Sequence, residues 1–426
     1  MKILHTVEFY APSVGGAQEV VRQISENLVV RGHQVAVATT RLTERTSLLV
    51  NGVTIHEFDI SGNSVRGIRG ESERYKRFLI EGDFDVMMNY AAQEWTMDLA
   101  FPVLQRLPYR KVMVPCGFSA LYDRAYRRYF AEMPRVMRSY DHLIFHSEDY
   151  RDIGIARQHG MSHYSVIPNG ASEADFSQPD RTFRKRYGIP EDVSMLLTVG
   201  SHTGKKGHRL CMDSLRHLES PTAVLVIIAN TFGVEGEGKT LPELLFEAVR
   251  RREVRRVAGL LRRAAPGRFR RGCVSECERR AGAINRSDPS RKRVILLNPP
   301  REDVVAAYHA ADLFVFASNI EYSPLVLFEA MASSTPFVTL DCGNAAEIAA
   351  WSGGGVVAPT RRLKRGEVGG NASEFAREVD KLLTNEERRA ELGASGHDAW
   401  LRRFTWEKLA QAYERVYLRL AQGARA

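Results

Sequence analysis

Long hydrophobic runs are absent from this chain of 426 residues. No stretch approaches the roughly 18 to 20 consecutive apolar residues that a helix needs to cross a bilayer. The first residues, Met1 to Glu8, mix polar with apolar side chains too early to form a signal peptide. We therefore expect a cytoplasmic protein, and peripheral attachment to the inner membrane face stays open because the chain is basic.

Cysteine is also scarce, with five residues at positions 116, 211, 273, 277 and 342. An odd and scattered set fits a reducing compartment and argues against a disulfide framework. Cys273 and Cys277 are four positions apart, so they could share one face of a helix. No second Cys/His pair lies close to them in the sequence, and on that ground we do not expect a zinc site.

Acidic residues are few in one segment. Between Arg250 and Arg293 there are 16 Lys/Arg and four Asp/Glu residues, whereas the formal charge of the whole chain is only +9. This local excess could face anionic lipid head groups, nucleic acid or an anionic substrate. It could equally be a basic insert without a partner. Aromatic residues are sparse in the segment, which argues against stacking on nucleic-acid bases.

The length predicts two domains of about 200 residues each, because one ordinary core does not grow so large. The chain opens with a strand at Lys2–Glu8, a Gly15-Gly16 loop, a helix at Ala17–Arg31 and a strand at Gln34–Thr39. This is a βαβ unit, but it lacks the G-x-G-x-x-G dinucleotide fingerprint. The two glycines could let a backbone approach a ligand, or could simply form a flexible turn.

Further short apolar runs predict that the first domain is a parallel α/β sheet. They lie at residues 85–89, 111–115, 142–146 and 164–167. Cys116-Gly117 follows the second run and lies in a strand-end loop. The turn residues Ile167-Pro-Asn-Gly170 end the series, and the polar segment 171–190 is the predicted linker.

A second series begins with a strand at Ser194–Val199. The Gly200–His208 loop follows it and contains Lys206, so its amides and lysine suit a phosphate, although a solvated basic loop has the same composition. This loop is not a Walker A sequence. Strands are predicted at 223–229 and 293–297, with a basic insert of about 231–290 between them.

Two glutamates follow the next apolar run, residues 312–317, which predicts a buried parallel strand. Ser323 is a suitable N-cap and Pro324 a suitable first helical residue. Glu321 would then lie in the strand-to-helix loop and Glu329 one to two turns into the helix. Both carboxylates could accept hydrogen bonds from hydroxyls of one ligand at the strand ends. They could also be ordinary solvated glutamates near a helix start.

The strand predicted at 336–340 is followed by a similar glycine loop. Gly343 lies in that loop, and Asn344 could cap the next helix, which makes a second candidate anion site. Helices are predicted at 373–383 and 385–392. The chain ends in an amphipathic helix at 406–421.

Taken in order, these pieces resemble a retaining glycosyltransferase of family GT4, which has the GT-B fold. The most specific match is Glu321-x7-Glu329 followed by Ala-Met-Ala. Supporting matches are Gly15-Gly16-Ala17-Gln18, Ile167-Pro-Asn-Gly170, Val199-Gly200, Lys206-Gly207, Gly343 to Glu347 and Phe404-Thr-Trp406. The resemblance implies two Rossmann-like parallel-sheet domains around a cleft. An acceptor domain would span 1–172, joined by the last helix, and a nucleotide-sugar domain would span 190–404.

The resemblance also implies roles for individual residues. Glu329 would hold the ribose hydroxyls, Glu321 the donor sugar and Lys206 the diphosphate. The remaining donor-side positions are Gly15, Gly16, Gly200, Ser201, Ser323, Pro324, Leu325, Gly343 and Asn344. Retention would follow from attack on the same face without a protein nucleophile, and we expect no cofactor and no metal.

Two positions depart from the family pattern. Many members have an arginine where this chain has Ser201, so Lys205, His202 or Arg209 would have to replace its charge, or donor binding would be weaker. Members often have a histidine where this chain has Cys116. If only the backbone carbonyl matters there, Cys116 could serve in catalysis.

The predicted activity is sugar transfer from a nucleotide-diphosphate sugar to a saccharide or lipid-linked acceptor in cell-envelope or exopolysaccharide assembly. One alternative is a nucleotide-sugar epimerase with the same architecture. Another is a degenerate relative that binds the donor without turnover. A third is a non-catalytic protein that binds nucleic acid or other anions through the basic insert, although we expect no nucleic-acid partner.

Overall fold

The structure is a computed structural model that describes residues 1–180, 182–230, 272–287 and 291–423. Two large sheets dominate these ranges, one with eight strands and one with six. No helix in the described ranges is both long and apolar enough to cross a membrane. The prediction of an α/β fold with two Rossmann-like cores is confirmed. Most of the predicted basic insert lies outside the described residues.

The first sheet has the strand order β10-β9-β8-β7-β1-β2-β4-β3. Its strands are β1 Lys2–Thr6, β2 Gln34–Thr40, β3 Leu49–Val50, β4 Val53–Phe58, β7 Val86–Tyr90, β8 Arg110–Val114, β9 His142–Phe145 and β10 Tyr164–Val166. Neighbours are parallel except β3 and β4, which pair antiparallel. Strands β5 Ile60–Asn63 and β6 Gly67–Gly70 form a separate hairpin.

The strands between residues 49 and 70 were not predicted from the sequence. Strand β4 alternates buried and more exposed side chains along its first half. It therefore has no continuous apolar run of the kind that marked the other strands. The error has no bearing on the site, because β3 and β4 lie at one edge of the sheet.

The second sheet is entirely parallel, with the order β13-β12-β11-β14-β15-β16. Its strands are β11 Ser194–Val199, β12 Ala223–Ile228, β13 Lys292–Leu297, β14 Leu313–Phe316, β15 Phe337–Thr339 and β16 Gly355–Val357. A small ribbon, β17 Arg361–Arg362 with β18 Val368–Gly369, lies outside this sheet. The strand order reverses between β11 and β14, and such a reversal opens a ligand crevice at the strand carboxyl ends.

Helices connect the strands of both sheets. In the first half they are α1 Gly16–Val30, α2 Ser72–Glu81, α3 Trp95–Ala100, α4 Arg127–Arg138, α5 Arg151–Gln158, α6 Glu173–Phe176 and α7 Phe183–Arg186. In the second half they are α8 His208–Leu215, α9 Cys273–Ser287, α10 Arg301–Ala310, α11 Leu325–Ala332, α12 Ala345–Ser352, α13 Ala372–Leu383, α14 Glu386–Ala399 and α15 Trp406–Gln422. Helix α14 is longer than predicted.

The segment predicted as a polar linker packs into the second core. Phe176, Phe183 and Ile189 are all buried among side chains of the six-stranded sheet and its helices. The short helices α6 and α7 place these apolar side chains on the second domain. Scattered apolar residues in a polar segment give little periodicity, so the sequence did not show this packing.

Helix α15 returns to the first domain. Trp406, Leu409 and Tyr413 are buried in the same core as β1 and α1. The Tyr417 hydroxyl lies 3.1 Å from His5 Nε2 in β1. The last helix therefore packs against the first domain.

Candidate functional site

The three predicted ligand loops meet at one edge of the second sheet. Strand β14 lies between β11 and β15, so the loops after these strands are neighbours. Gly207 has a φ of +74°, and an added Cβ would lie 1.9 Å from the carbonyl oxygen of Ala317. The Lys205 carbonyl also accepts the Asn319 N–H at 2.7 Å. The loops after β11, β14 and β15 therefore converge at this edge.

Lys206 and Glu321 face each other in this crevice. Lys206 Nζ lies 2.7 Å from Glu321 Oε1, and the Ser318 hydroxyl donates to the same oxygen at 2.8 Å. The lysine stem runs beside Gly200, where a Cβ would lie 3.2 Å from it. The two side chains are mostly buried. The structure thus joins the residues predicted for the diphosphate and for the donor sugar into one ion pair.

Glu329 lies on α11 and pairs with a residue that the sequence did not indicate. Arg301 Nη2 is 2.7 Å from Glu329 Oε1 and 2.9 Å from Asp175 Oδ2. The guanidinium also lies over the Phe176 ring, with 5.7 Å to its centroid. Arg301 begins α10, so only the packing of α10 beside α11 brings it to this glutamate.

The start of helix α11 differs slightly from the prediction. Pro324 occupies the N-cap position, Leu325 is the first helical residue, and Ser323 precedes the cap. The buried Ser323 hydroxyl has no hydrogen-bond partner among the described residues. A buried hydroxyl without a partner is rare and points to a ligand or water in this position.

Asn344 holds the N-cap position of α12 but does not cap the helix with its side chain. Its Nδ2 instead donates to the His146 carbonyl of the first domain at 2.9 Å. Its backbone N–H donates to the Tyr322 carbonyl at 2.8 Å, so this amide is already engaged. The expected helix cap was wrong: the side chain is oriented by its contact with the other domain, and its Oδ1, the atom that would accept the capping bond, is buried without a described partner. The neighbouring Gly343 has a φ of +64° and leaves room for the Tyr322 carbonyl, 2.4 Å from an added Cβ.

Tyr322 is a site residue that sequence reasoning missed. It extends from the Glu321 loop into the first domain, where its hydroxyl accepts the His146 N–H at 2.9 Å. Its ring packs against those of His146 and Tyr150. The Tyr150 hydroxyl donates to the Glu321 carbonyl at 2.6 Å. The loop that contains Glu321 is therefore held by both domains.

Asn169 makes a further contact between the domains. Its Nδ2 donates to the Ser323 carbonyl at 3.0 Å, while its Oδ1 is buried without a described partner. The sequence predicted a turn at Ile167-Pro-Asn-Gly170, but it did not predict that Asn169 contacts the other domain.

On the first-domain side, the structure places Cys116 next to these contacts. Its φ is +59°, and an added Cβ on Gly117 would lie 2.7 Å from the Tyr322 ring. Burial raises the pKa of Cys116 to about 12, helped by nearby Glu94. The thiol is therefore neutral near pH 7 and unsuited to acid–base work, which leaves its backbone carbonyl as the catalytic candidate.

Asp152 also lies at this junction and was not identified from the sequence. It accepts the Gly117 N–H at 3.0 Å. Burial raises its pKa to about 6. Perturbed carboxylates of this kind concentrate at functional sites, although structural networks produce them too. Its position in the first turn of a helix gives no sequence signal of this role.

The glycine pair Gly15-Gly16 begins α1 at the carboxyl side of β1. An added Cβ on Gly16 would meet nothing within 4 Å, whereas one on Gly15 would meet the flexible Gln18 side chain at 2.5 Å. The surface beside Gly16 is therefore open, so that a ligand or its phosphate could lie close to the protein backbone there.

The cations proposed to replace the missing arginine at Ser201 are engaged elsewhere. Lys205 Nζ pairs with Glu367 at 2.8 Å, and Arg209 pairs with Asp213 at 3.5 Å on an exposed helix face. His202 lies against Cys273 at 3.7 Å. Of the basic side chains in this loop, Lys206 alone points to Glu321.

The reason for not expecting a zinc site does not hold in the folded chain. Cys273 and Cys277 do share a helix face, with their sulfur atoms 4.0 Å apart. The His202 and His208 side chains, about 65 residues earlier in the sequence, lie beside them. The strand order brings the two histidines next to the two cysteines, although the sequence places the pairs far apart.

One Asp-x-Asp triplet occurs in the chain, at Asp83-Phe84-Asp85. The carboxylates of Asp83 and Asp85 contact Lys2 at the amino end of β1. This is the sheet edge opposite to the ligand crevice. We therefore keep the prediction that no metal bridges the diphosphate.

Two facing Rossmann-like domains with loops converging at a strand-order reversal define the GT-B architecture. Residues 14–174 match the family model described as Glycosyltransferase Family 4, and residues 289–398 match the model described as Glycosyl transferases group 1. Together they include more than half of the chain. The chain therefore belongs to glycosyltransferase family 4.

Curated relatives are distant. A D-inositol 3-phosphate glycosyltransferase from Xylanimonas cellulosilytica is 27% identical over 261 residues, which are 59% of this chain and 50% of that protein. YtcC from Bacillus subtilis, named as a glycosyltransferase, is 25% identical over 243 residues, 56% of this chain and 48% of YtcC. The chain thus spans about half the length of the curated relatives it matches.

Solved structures share the fold over the full length. The sucrose-phosphate synthase from Thermosynechococcus elongatus has a TM-score of 0.72 at 16% identity, covering 99% of each chain. HepE from Anabaena, solved in complex with UDP-glucose, has a TM-score of 0.67 at 15% identity, covering 99% of this chain and 100% of that one. At these identities the likeness establishes the fold alone.

Proposed function

We propose that this protein is a retaining glycosyltransferase that moves a sugar from a nucleotide-diphosphate sugar to a hydroxyl of a saccharide or lipid-linked acceptor. The observation that carries the proposal is the Lys206–Glu321 pair at the strand-order reversal, with Glu329 on the adjoining helix. Family membership and the fold support the same assignment.

The ion pair suggests how a donor would be received. The two charges neutralise each other in a mostly buried place. A diphosphate would attract Lys206 more strongly than one carboxylate does, because it brings more negative charge and several acceptor oxygens. Glu321 would then be free to accept hydroxyls of the sugar. Arg301 would keep Glu329 oriented for the ribose.

The reaction places two demands on the site. As the bond between the anomeric carbon and phosphate breaks, negative charge grows on the phosphate and positive charge on the sugar. Lys206 would stabilise the first, with the helix N-terminus behind Ser323 and Pro324 adding a favourable dipole. The acceptor hydroxyl would attack from the same face and pass its proton to the departing phosphate oxygen. Glu321 would orient the sugar and would not act as a nucleophile.

Donor and acceptor follow only in outline. HepE binds UDP-glucose, so UDP-sugars are the first donors to screen, followed by GDP- and ADP-sugars. Assembly of cell-envelope or exopolysaccharide glycans is the process that we propose for the acceptor side. A cytoplasmic location with peripheral attachment to a membrane surface would suit such acceptors.

Transfer of radiolabelled sugar from the best donor tests the proposal. We expect Glu321→Gln and Lys206→Met each to lower kcat by roughly 100- to 1,000-fold, the size expected for a lost charge-stabilising group. Glu329→Gln should mainly raise the KM for the donor. Lys205→Met is the matched control, because Lys205 pairs with Glu367 and should retain activity.

Three outcomes would contradict the proposal in different ways. Unchanged transfer in both Glu321→Gln and Lys206→Met would refute the site. A product of inverted anomeric configuration, read from its NMR coupling constants, would refute retention. Release of an isomerised nucleotide sugar without an acceptor would favour the epimerase.

A further inference from the structure

Four metal-binding side chains converge behind the Lys206 loop, outside the donor site. They are His202, His208, Cys273 and Cys277, and one ligand atom from each lies within 4.8 Å of all the others. Cys273 Sγ is 3.7 Å from His202 Nδ1 and 4.0 Å from Cys277 Sγ. Cys277 Sγ is 4.0 Å from His208 Nδ1.

Three elements bring this cluster together. His202 lies in the loop after β11, and His208 begins α8, which follows that loop. Cys273 and Cys277 lie one turn apart on α9, which packs beside α8. The strand order that places β11 next to β12 lets α8 and α9 meet on one face of the sheet.

The residue types and spacings fit a structural zinc site. His-x5-His and Cys-x3-Cys both fall within the spacings common in Cys2His2 sites, and a set of two sulfur and two nitrogen ligands selects zinc. Tetrahedral zinc with nitrogen at about 2.0–2.1 Å and sulfur at about 2.3 Å separates its ligands by about 3.3–3.8 Å. Three of the observed separations are 3.7–4.0 Å and the remaining pairs lie within 4.8 Å, so side-chain rotations that move the ligand atoms by about 1 Å would close the cage.

Burial gives a second reason to expect an ion. His202, His208 and Cys277 are at most 6% exposed. The contacts among the four groups are long, at the limit for hydrogen bonds to sulfur. The buried Nε2 of His208 has no hydrogen-bond partner among the described residues, whereas buried polar groups normally have one.

We propose that His202, His208, Cys273 and Cys277 bind one Zn²⁺ ion in a closed structural site. Two thiols release their protons and the two imidazoles bind in their neutral form, so the complex has no net charge. With four protein ligands the ion has no open position for substrate. Its role is therefore to fasten helix α9 to the Gly200–His208 loop.

This fastening has a consequence that rests on the proposed function. His202 and His208 bracket Lys206, and Gly207 presses against the backbone of Ala317. One zinc ion bound to both histidines would hold Lys206, which lies between them, in place for the diphosphate. Loss of zinc should therefore raise the donor KM more than it changes kcat.

Metal analysis of the full chain, purified without a histidine tag, tests the site independently of any activity. We expect about one zinc per chain. Substituting Co²⁺ should give the intense absorption bands of tetrahedral cobalt with two thiolates. Cys273→Ser and His208→Ala should each lose most of the metal. Cys211→Ala and His217→Ala are matched controls on α8 and beside it, and both should keep it.

The outcomes separate the two levels of the inference. A metal-free wild-type chain, a Cys273–Cys277 disulfide in place of metal, or full zinc retention in Cys273→Ser would overturn the site. The cobalt spectrum of the wild-type chain decides the matter even where a variant does not fold. Zinc loss that leaves the donor KM unchanged would overturn the effect on Lys206 alone. A chain that binds zinc but transfers no sugar would refute the proposed function and leave the zinc site standing.

Discussion

At the scale of single residues, the site depends on which partner each charge finds. Lys205 and Lys206 are adjacent lysines that the sequence alone does not distinguish. In the structure Lys206 pairs with Glu321 and Lys205 pairs with Glu367. The first pair is mostly buried and the second is more exposed. An exposed ion pair contributes little to stability, whereas a charge in a crevice can act on a ligand.

An arginine at position 201, where many family members have one, should strengthen donor binding. Ser201 is partly exposed in the loop before Lys206, and an added guanidinium can donate two hydrogen bonds to a diphosphate. We expect Ser201→Arg to lower the donor KM by roughly tenfold, which corresponds to about 1.4 kcal/mol. Steady-state kinetics with the best donor would measure it.

The control places the same charge two residues away. Thr203 is exposed on the loop, so Thr203→Arg adds a cation to the surface without aiming it at the crevice. An equal KM decrease in both variants would show that general charge attraction is responsible. No decrease in Ser201→Arg would place the diphosphate elsewhere.

At the scale of elements, close backbone contact between two loops builds the site. Gly207 and Gly204 both have positive φ values near +75°. An added Cβ on Gly207 would strike the Ala317 backbone, whereas one on Gly204 would meet nothing within 4 Å. The pair therefore separates the effect of backbone conformation from the effect of packing.

We expect Gly204→Ala to lower the free energy of unfolding by about 1 kcal/mol, since only the left-handed conformation is penalised. Gly207→Ala should lower it by at least twice that amount and should also abolish donor binding, because the two loops must separate. Urea unfolding and donor titration would measure the two effects. Similar losses in both variants would mean that the loops are not in contact in solution.

At the scale of the whole molecule, specific side-chain contacts join the two domains within the described residues. Tyr322 and Asn344 reach His146 from the second domain. Helix α15 reaches the first domain from the other side, where Glu414 binds Arg31 and His33. The Tyr322 contact holds the Glu321 loop between the domains, so cleft opening must break that contact.

Buried histidines make the stability of the whole molecule depend on pH. Burial lowers the pKa of His5 to about 3 and those of His142 and His146 to about 4. In the unfolded chain each would titrate near 6.5. Between about pH 4 and 6.5 the unfolded state therefore binds more protons, and stability is lost as the pH falls.

His146 tests this dependence. Its Nδ1 donates to the Ile167 carbonyl at 2.7 Å, and its Nε2 accepts from Tyr90. His146→Gln should make the pH dependence of unfolding shallower by up to about 1.4 kcal/mol per pH unit in that window. Urea unfolding at several pH values would show it. His217→Gln, at an exposed histidine, should leave the slope unchanged, and a similar change in both would contradict the assignment.

The sequence by itself determined the order of most elements and the positions of the candidate ligand loops. Apolar runs and glycine-rich loops show up locally, so β11, β14, β15 and the Glu321-x7-Glu329 spacing could be read directly. A strand with mixed polarity, such as β4, was not predicted because its apolar pattern is weak.

Only the tertiary structure decided the partners of these residues. The links between Arg301 and Glu329, between Tyr322 and His146, and between the histidines and cysteines behind Lys206 join distant parts of the chain. Such contacts depend on strand order and on which helices pack side by side. A local pattern does not contain that information, because it is fixed only when separate elements are packed into one sheet and its helix layers.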